Sequence, residues 1–227
     1  MTPPLWVNQF CQNIAAVDLP LVFNPYSSCC QIHDRPDAAL IRLNNLSRIL
    51  THHAGSVVQS IWFGRDLGYR GGRRTGLALT DEATMLSGYA RIGQNALVKA
   101  THGPVQSERT ASVIWDFISR LSHLPVLWNA FPLHPHESDN PLTNRTHTAK
   151  ERQQTAWTIS ELTEQFPAAV LIAIGNDASK ALTELGLKHE TARHPSYGGQ
   201  RDFIAKMEII HDLPPVIRPV VQKSLFA

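Results

Sequence analysis

Short apolar runs alternate with segments of helical periodicity along this chain, and that alternation restricts the fold more than any other feature. "SVVQSIWFG" is rich in β-branched and aromatic residues and stops at Gly64. "LPVLWNAFP" is closed by Pro132, "AAVLIAIG" ends at Gly175, and a shorter run, "LKHETARH", follows. Helical segments separate them. In "DRPDAALIRLNNLSRILTHH", Leu40, Leu43, Leu46, Ile49 and Leu50 recur at helical spacing, with Asp37 near the start. "ERTASVIWDFISRLSH", "RQQTAWTISELTEQF" and "NDASKALTELG" read in the same way, the last closed by Gly186. Apolar strands joined through helices form a parallel sheet covered on both faces. The expected class is therefore α/β, a three-layer α/β/α arrangement about a central, mostly parallel four-stranded sheet.

At 227 residues the chain can fill one large core, and its prolines scatter through loops instead of marking a linker, so a single domain over residues 1–227 is expected. Its hydrophobic content of 43% excludes a disordered chain. A net charge of +2 neither demands nor excludes nucleic acid, so any electrostatic footprint must be local. The cysteines Cys11, Cys29 and Cys30 are odd in number and two are adjacent, which fits no disulfide framework and cannot ligate an iron–sulfur cluster. No apolar run approaches the roughly 20 residues of a membrane span, and "MTPPLWVNQF" lacks the features of a signal peptide. A cytoplasmic protein without a membrane partner is expected.

Ligands of parallel α/β sheets bind beyond the carboxyl ends of the strands. Here that rule selects the loops after Gly64, Trp128, Gly175 and Arg193. The first reads "GRDLGYRGGRRTGLALTDE". Asp66 in it can act as a general base, a metal ligand or an electrostatic partner for positive charge, or can cap a turn. Gly64, Gly68, Gly71 and Gly72 do not form G-x-G-x-x-G, and there is no P-loop, which excludes the common nucleotide cradles. Arg65, Arg70, Arg73 and Arg74 are candidate phosphate contacts, or the charges of a solvated loop. In "LWNAFPLHPH", Asn129 stands at a strand end, where a buried amide can read the edge of a base or close the loop through backbone bonds. His134 and His136 lack a clear third ligand, and no metal site is expected. In "RHPSYGG", His194 leaves a strand, Pro195 fixes the backbone, and Ser196 can bond to backbone or phosphate. A Ser196–His194–Asp66 triad lacks the G-x-S-x-G elbow, and Ser196 lies too near His194 in sequence.

In this order the loops resemble the uracil-DNA glycosylase superfamily. Gly64 to Gly68 match its G-x-[DN]-P-type loop, Thr75-Gly76-Leu77-Ala78-Leu79 its "TG-x-x-F" segment, Asn129 its strand-end asparagine, and His194-Pro195-Ser196 its H-P-S motif. The resemblance spans about residues 55 to 205, and with the upstream "NPYSS" the wording is similar to bacterial single-domain, cluster-free members. It implies a uracil-DNA glycosylase-like fold and a monofunctional DNA glycosylase of base-excision repair. Such an enzyme hydrolyses the N-glycosidic bond of a flipped-out uracil, or another deaminated or mismatched base, in single- or double-stranded DNA. The resemblance further implies a monomer that needs no cofactor. By the same resemblance Asp66 stabilises the oxocarbenium-like sugar and positions water, and His194 donates a hydrogen bond to the base oxygen. Asn129 reads the base edge, in a pocket completed by Gly64, Arg65, Tyr69 and Leu79. Arg70, Arg73, Arg74, Ser196, Tyr197, Gln200 and Arg201 hold the DNA.

The chain departs from the family at four places. Leu67 replaces the usual proline, and Leu79 stands where an aromatic commonly stacks on the base. Gly68 takes the place of a tyrosine that excludes the thymine methyl, with Tyr69 beside it as a substitute. No wedge leucine follows H-P-S, which leaves Tyr197, Gln200 or Arg201 to fill the gap in the duplex. Leu67 and Leu79 favour a second class, a DNA-binding module of this fold with weak or no glycosylase activity. The joint presence of Asp66, Asn129 and His194 favours an enzyme, and the arginines favour a polymeric phosphate over the small ester or nucleoside of an unrelated α/β hydrolase.

Overall fold

The computed structural model describes residues 2–92 and 97–215. In chain order the elements are α1 (Leu5–Ala15), β1 (Val22–Phe23), α2 (Ala38–Ala54), β2 (Ser60–Gly64), α3 (Gly72–Thr75), α4 (Glu82–Gly88), α5 (Arg109–Ile118), β3 (Val126–Asn129), β4 (His134–Pro135), α6 (Ala149–Thr155), α7 (Trp157–Gln165), β5 (Val170–Ile174), α8 (Asn176–Glu184), β6 (Glu190–Ala192) and α9 (Gln200–Ile210).

The central sheet is four-stranded and fully parallel, in the order β3-β2-β5-β6. Its strands are apolar on both faces, because successive side chains point to opposite sides and each side meets a helical layer. Ile61, Phe63, Val126, Trp128 and Ala173 face one core, shared with α1, α2, α7 and α8. Trp62, Leu127, Ile172 and Ile174 face the other, shared with α4, α5 and α9. The buried indoles are satisfied: Trp62 Nε1 donates to Ser60 Oγ at 3.0 Å and Trp128 Nε1 to Thr158 Oγ1 at 3.0 Å. The three-layer α/β/α architecture expected from the sequence is thus the one observed.

Three features depart from expectation. Helix α1 lies outside the predicted alternation, yet its stripe of Val7, Phe10, Cys11 and Ile14 carries an amphipathic spacing. It docks through Phe10, which meets Trp128 and Trp157 edge-on at 5.2 Å. A separate antiparallel ribbon pairs β1 with β4. The helix predicted over "RQQTAWTISELTEQF" is divided into α6 and α7.

Two buried histidines make the fold sensitive to acid. His53 and His134 are 1% and 0% exposed, and burial holds their imidazoles down to about 3 and about 4, from an ordinary 6.5. The unfolded chain binds protons below its ordinary value that the folded state refuses, so stability is full above that value and is lost as pH falls. Between pH 6.5 and pH 5 each group removes about 2 kcal/mol. Thermal unfolding is expected to show Tm falling by about 10 °C over that interval. A Tm that stays level would mean that both imidazoles are protonated inside the fold.

Candidate active site

Strands β2 and β3 end in register, with Gly64 opposite Asn129. A Cβ on Gly64 would collide with Asn129 Oδ1 and with the Leu79 side chain, so only glycine lets the amide and Leu79 close together there. Beyond Gly64 the chain is held by backbone bonds to the β3 loop. Ala130 and Phe131 donate to the carbonyls of Gly64 and Arg65, both at 2.9 Å. Leu67 N–H donates to Leu133 O at 3.1 Å, and Leu67 O accepts from His134 Nδ1 at 2.7 Å. A proline at position 67 has no N–H for the first of these bonds. The loop is therefore fixed by hydrogen bonds, one of which a proline at position 67 could not make.

Asp66 occupies this fixed turn with its side chain only 6% exposed. Arg65 Nε lies 2.9 Å from Asp66 Oδ2, and His147 Nδ1 lies 3.3 Å from the same oxygen. His147 is itself buried against Phe131, with ring centroids 5.2 Å apart. It precedes the Thr148–Glu151 capping box of α6, and Arg145 grips Glu151 at 2.7 Å and 3.0 Å. The sequence reading missed His147. The box is visible as "THTAKE", but nothing local connects its histidine to an aspartate 81 positions upstream.

His194 follows β6. Ser196 N–H donates to its Nδ1 at 3.3 Å, and Ser196 Oγ lies 2.7 Å from the same atom. A backbone N–H can only donate, so Nδ1 is the acceptor and the proton of the neutral ring sits on Nε2. Burial lowers the His194 pKa, Arg65 lowers it further, and Asp66 opposes both. The arrangement is a neutral imidazole whose Nε2–H meets no acceptor among the described residues.

Arg65, Asp66, Leu79, His194, Ser196 and Tyr197 line one cleft of about 660 Å³ at the carboxyl end of the sheet. Asn176 and Asp177, after β5, line it too, so the regions that follow β2, β5 and β6 meet here. Leu79 and Tyr197 both have left-handed backbones, with φ of 54° and 51°. Such conformations are strained for residues with side chains and collect at functional sites.

Asn129 lies directly behind Gly64. The described residues bury three asparagines, Asn24, Asn45 and Asn129. Asn24 donates to Ile14 O at 2.8 Å and accepts from Tyr26 N–H at 2.9 Å. Asn45 donates to Val98 O at 2.8 Å and accepts from Val98 N–H at 3.0 Å. Asn129, at 1% exposure, has a partner for neither its oxygen nor its nitrogen among the described residues. Buried polar groups are otherwise almost always bonded. The "NPYSS" asparagine closes the end of α1, whereas the Asn129 amide has no such partner among the described residues.

Several expected contacts lie elsewhere. Arg73 and Arg74 are 3% and 7% exposed, which corrects their assignment as DNA contacts. Arg73 stacks 3.8 Å from the centroid of the Phe23 ring, and Arg74 pairs with Glu82 at 3.2 Å and donates to Thr101 Oγ1 at 3.0 Å. Tyr69 does not line the cleft, which corrects its place in the base pocket. It shares a neighbouring depression with His33, Arg70 and His102, and its hydroxyl accepts from Arg70 Nε at 2.7 Å. Gln200 and Arg201 line a groove between α5 and α9, so of the three candidate wedges only Tyr197 borders the cleft. Among the described residues no group of three or more histidine, cysteine or acidic side chains could hold a metal ion, and no helix is long and apolar enough to cross a membrane.

No family model matches this chain, and no curated protein matches it. Among solved structures, the crystal structure of wild-type SMUG2 from Pedobacter heparinus has a TM-score of 0.62 at 12% identity, over 93% of this chain and 98% of that one. The likeness is one of fold, extending across nearly the whole length of both chains.

Proposed function

We propose that this chain is a monofunctional DNA glycosylase, working as a single domain on a deaminated or mismatched base flipped out of DNA. The observation that carries the reading is the unbonded Asn129 amide behind a cleft walled by Asp66 and His194. A pyrimidine edge that offers one donor and one acceptor would satisfy both halves of that amide at once.

The chemistry follows from the charges. As the bond between C1′ and the base nitrogen breaks, its electron pair leaves with the base, making the sugar cationic and the base anionic. The Asp66 carboxylate stabilises the cation, and its two cationic or donor neighbours fix its orientation. Water adds its oxygen to C1′ and gives up a proton, leaving an abasic sugar with a hydroxyl group, while the departing base takes up a proton. His194 donates its Nε2–H to the base oxygen where negative charge grows. Such an aimed donor is worth about 3 kcal/mol in a dry site. Arg65, half exposed at the mouth, and Ser196 contact the strand, and the fully exposed Tyr197 fills the vacated position in the duplex.

The test uses labelled single- and double-stranded oligonucleotides carrying uracil, hypoxanthine or a mismatched thymine, with alkali to reveal abasic sites. Release of at least one base is expected, with His194→Ala slower by about 100-fold. No release from any substrate, with salt-sensitive DNA binding intact, would leave a binding module and sink the enzyme reading.

A further inference from the structure

Two acidic side chains in the cleft have no part in this scheme: Asp177, which lies 3.9 Å from Arg65 Nη1, and Glu108. Glu108 stands at the N-cap of α5, where a carboxylate ordinarily accepts from the first N–H groups of its own helix. Its side chain accepts no such bond. Its backbone N–H is anchored on Asp81, and its carboxyl lines the cleft over the glycine wall of the first loop. A Cβ on Gly71 would collide with Oε2, and one on Gly68 would lie 3.8 Å from Oε1. The missing side chain at Gly71 is what makes room for the carboxyl, and at Gly68 the contact would be an ordinary one. Among the described residues none donates a hydrogen bond to it or pairs with it as an ion.

An unpaired acid in a cleft that receives a polyanion would repel a phosphate. The group it favours opposite it is therefore a donor, and along a DNA strand the donors are on the bases. Burial and Asp81 raise its pKa while Arg70 opposes them, so its surroundings disfavour a charge that a donor beside it would stabilise. Leu67, Leu79, Ala111 and Ile174 line the same cleft with apolar side chains, while Asp66, Thr110 and Asn144 are among its other side-chain acceptors.

We infer that Glu108 is a specificity-determining acceptor, selecting flipped bases that carry an N–H or O–H donor on the edge facing Gly68 and Gly71. The inference rests on the glycosylase reading. Its test compares single-turnover base release within two matched pairs, thymine against 5-hydroxymethyluracil and uracil against 5-hydroxyuracil, each pair differing by an added hydroxyl donor. The wild type is expected to favour the donor-bearing member of at least one pair. Glu108→Leu should reduce that preference by about tenfold or more, and Glu108→Gln, which keeps a neutral acceptor, should retain part of it. Thermal unfolding of both variants checks that the fold is intact. A preference unchanged in Glu108→Leu, or absent from the wild type, overturns the inference while leaving the glycosylase reading in place. No release of any base by the wild type overturns both.

Discussion

Asp66→Asn is expected to slow base release by on the order of 1,000-fold while leaving the affinity for DNA undiminished. The exchange is nearly isosteric, and the Asn oxygen can still accept from Arg65 Nε and His147 Nδ1, both of which now address Asp66 Oδ2. The turn also keeps its bonds from Leu67 N–H to Leu133 O and from His134 Nδ1 to Leu67 O. Only the negative charge is lost. Removing a negative charge from a surface that meets a polyanion favours binding, whereas removing it beside a developing oxocarbenium ion raises the barrier. The two effects have opposite signs, which separates catalysis from damage to the fold. Single-turnover release and fluorescence-polarisation binding on the same oligonucleotide would measure both. A release rate within threefold of the wild type would remove Asp66 from the mechanism, and a parallel fall in affinity would point to a disturbed loop.

Sheet and layers were legible in the sequence because β2, β3 and β5 are short, apolar on both faces and cut off by glycine or by a strand-end polar residue. The same regularity made the strand-end loops legible, and the structure gathers Asp66 and His194 into one cleft with Asn129 behind it. Orientation beyond the first turn of each loop was not legible. Four arginines in "GRDLGYRGGRR" look alike as a local string, yet their fates are set by distant residues. Phe23 supplies the ring for Arg73, and Glu82 with Thr101 neutralises Arg74, while Arg65 and Arg70 stay at the surface. No local periodicity encodes such partners. The same holds for His147, whose link to Asp66 crosses 81 positions, and for Glu108, whose carboxyl is accommodated by a glycine of another loop, Gly71.

Buried arginines of this kind tie the site to the stability of the whole chain, and Arg42 carries the largest expected effect of them. It is 0% exposed on α2. Its Nε donates to Arg74 O at 3.0 Å and its Nη1 to Pro25 O and Ser28 O, both at 3.2 Å. Its Nη2 lies 2.5 Å from Asp34 Oδ1, an ion pair without hydrogen-bond alignment. Beside it Tyr26 donates to Gly76 O at 2.7 Å, so the two side chains together hold residues 74–76 from behind. Arg42→Met fills similar volume but leaves three carbonyls without donors and the buried Asp34 carboxylate without its cation. A loss of about 3–5 kcal/mol is expected, a large share of the roughly 5–15 kcal/mol that holds a domain together. Urea unfolding should show a lower midpoint with an unchanged slope. Adding Asp34→Asn to Arg42→Met should recover part of the loss, since it removes the stranded charge; additive destabilisation in the double variant would mean that the ion pair contributes nothing. Because the anchored segment runs on to Leu79 in the cleft wall, base release by the folded fraction of Arg42→Met should also fall. Wild-type release per folded molecule would show that the segment keeps its course without the arginine.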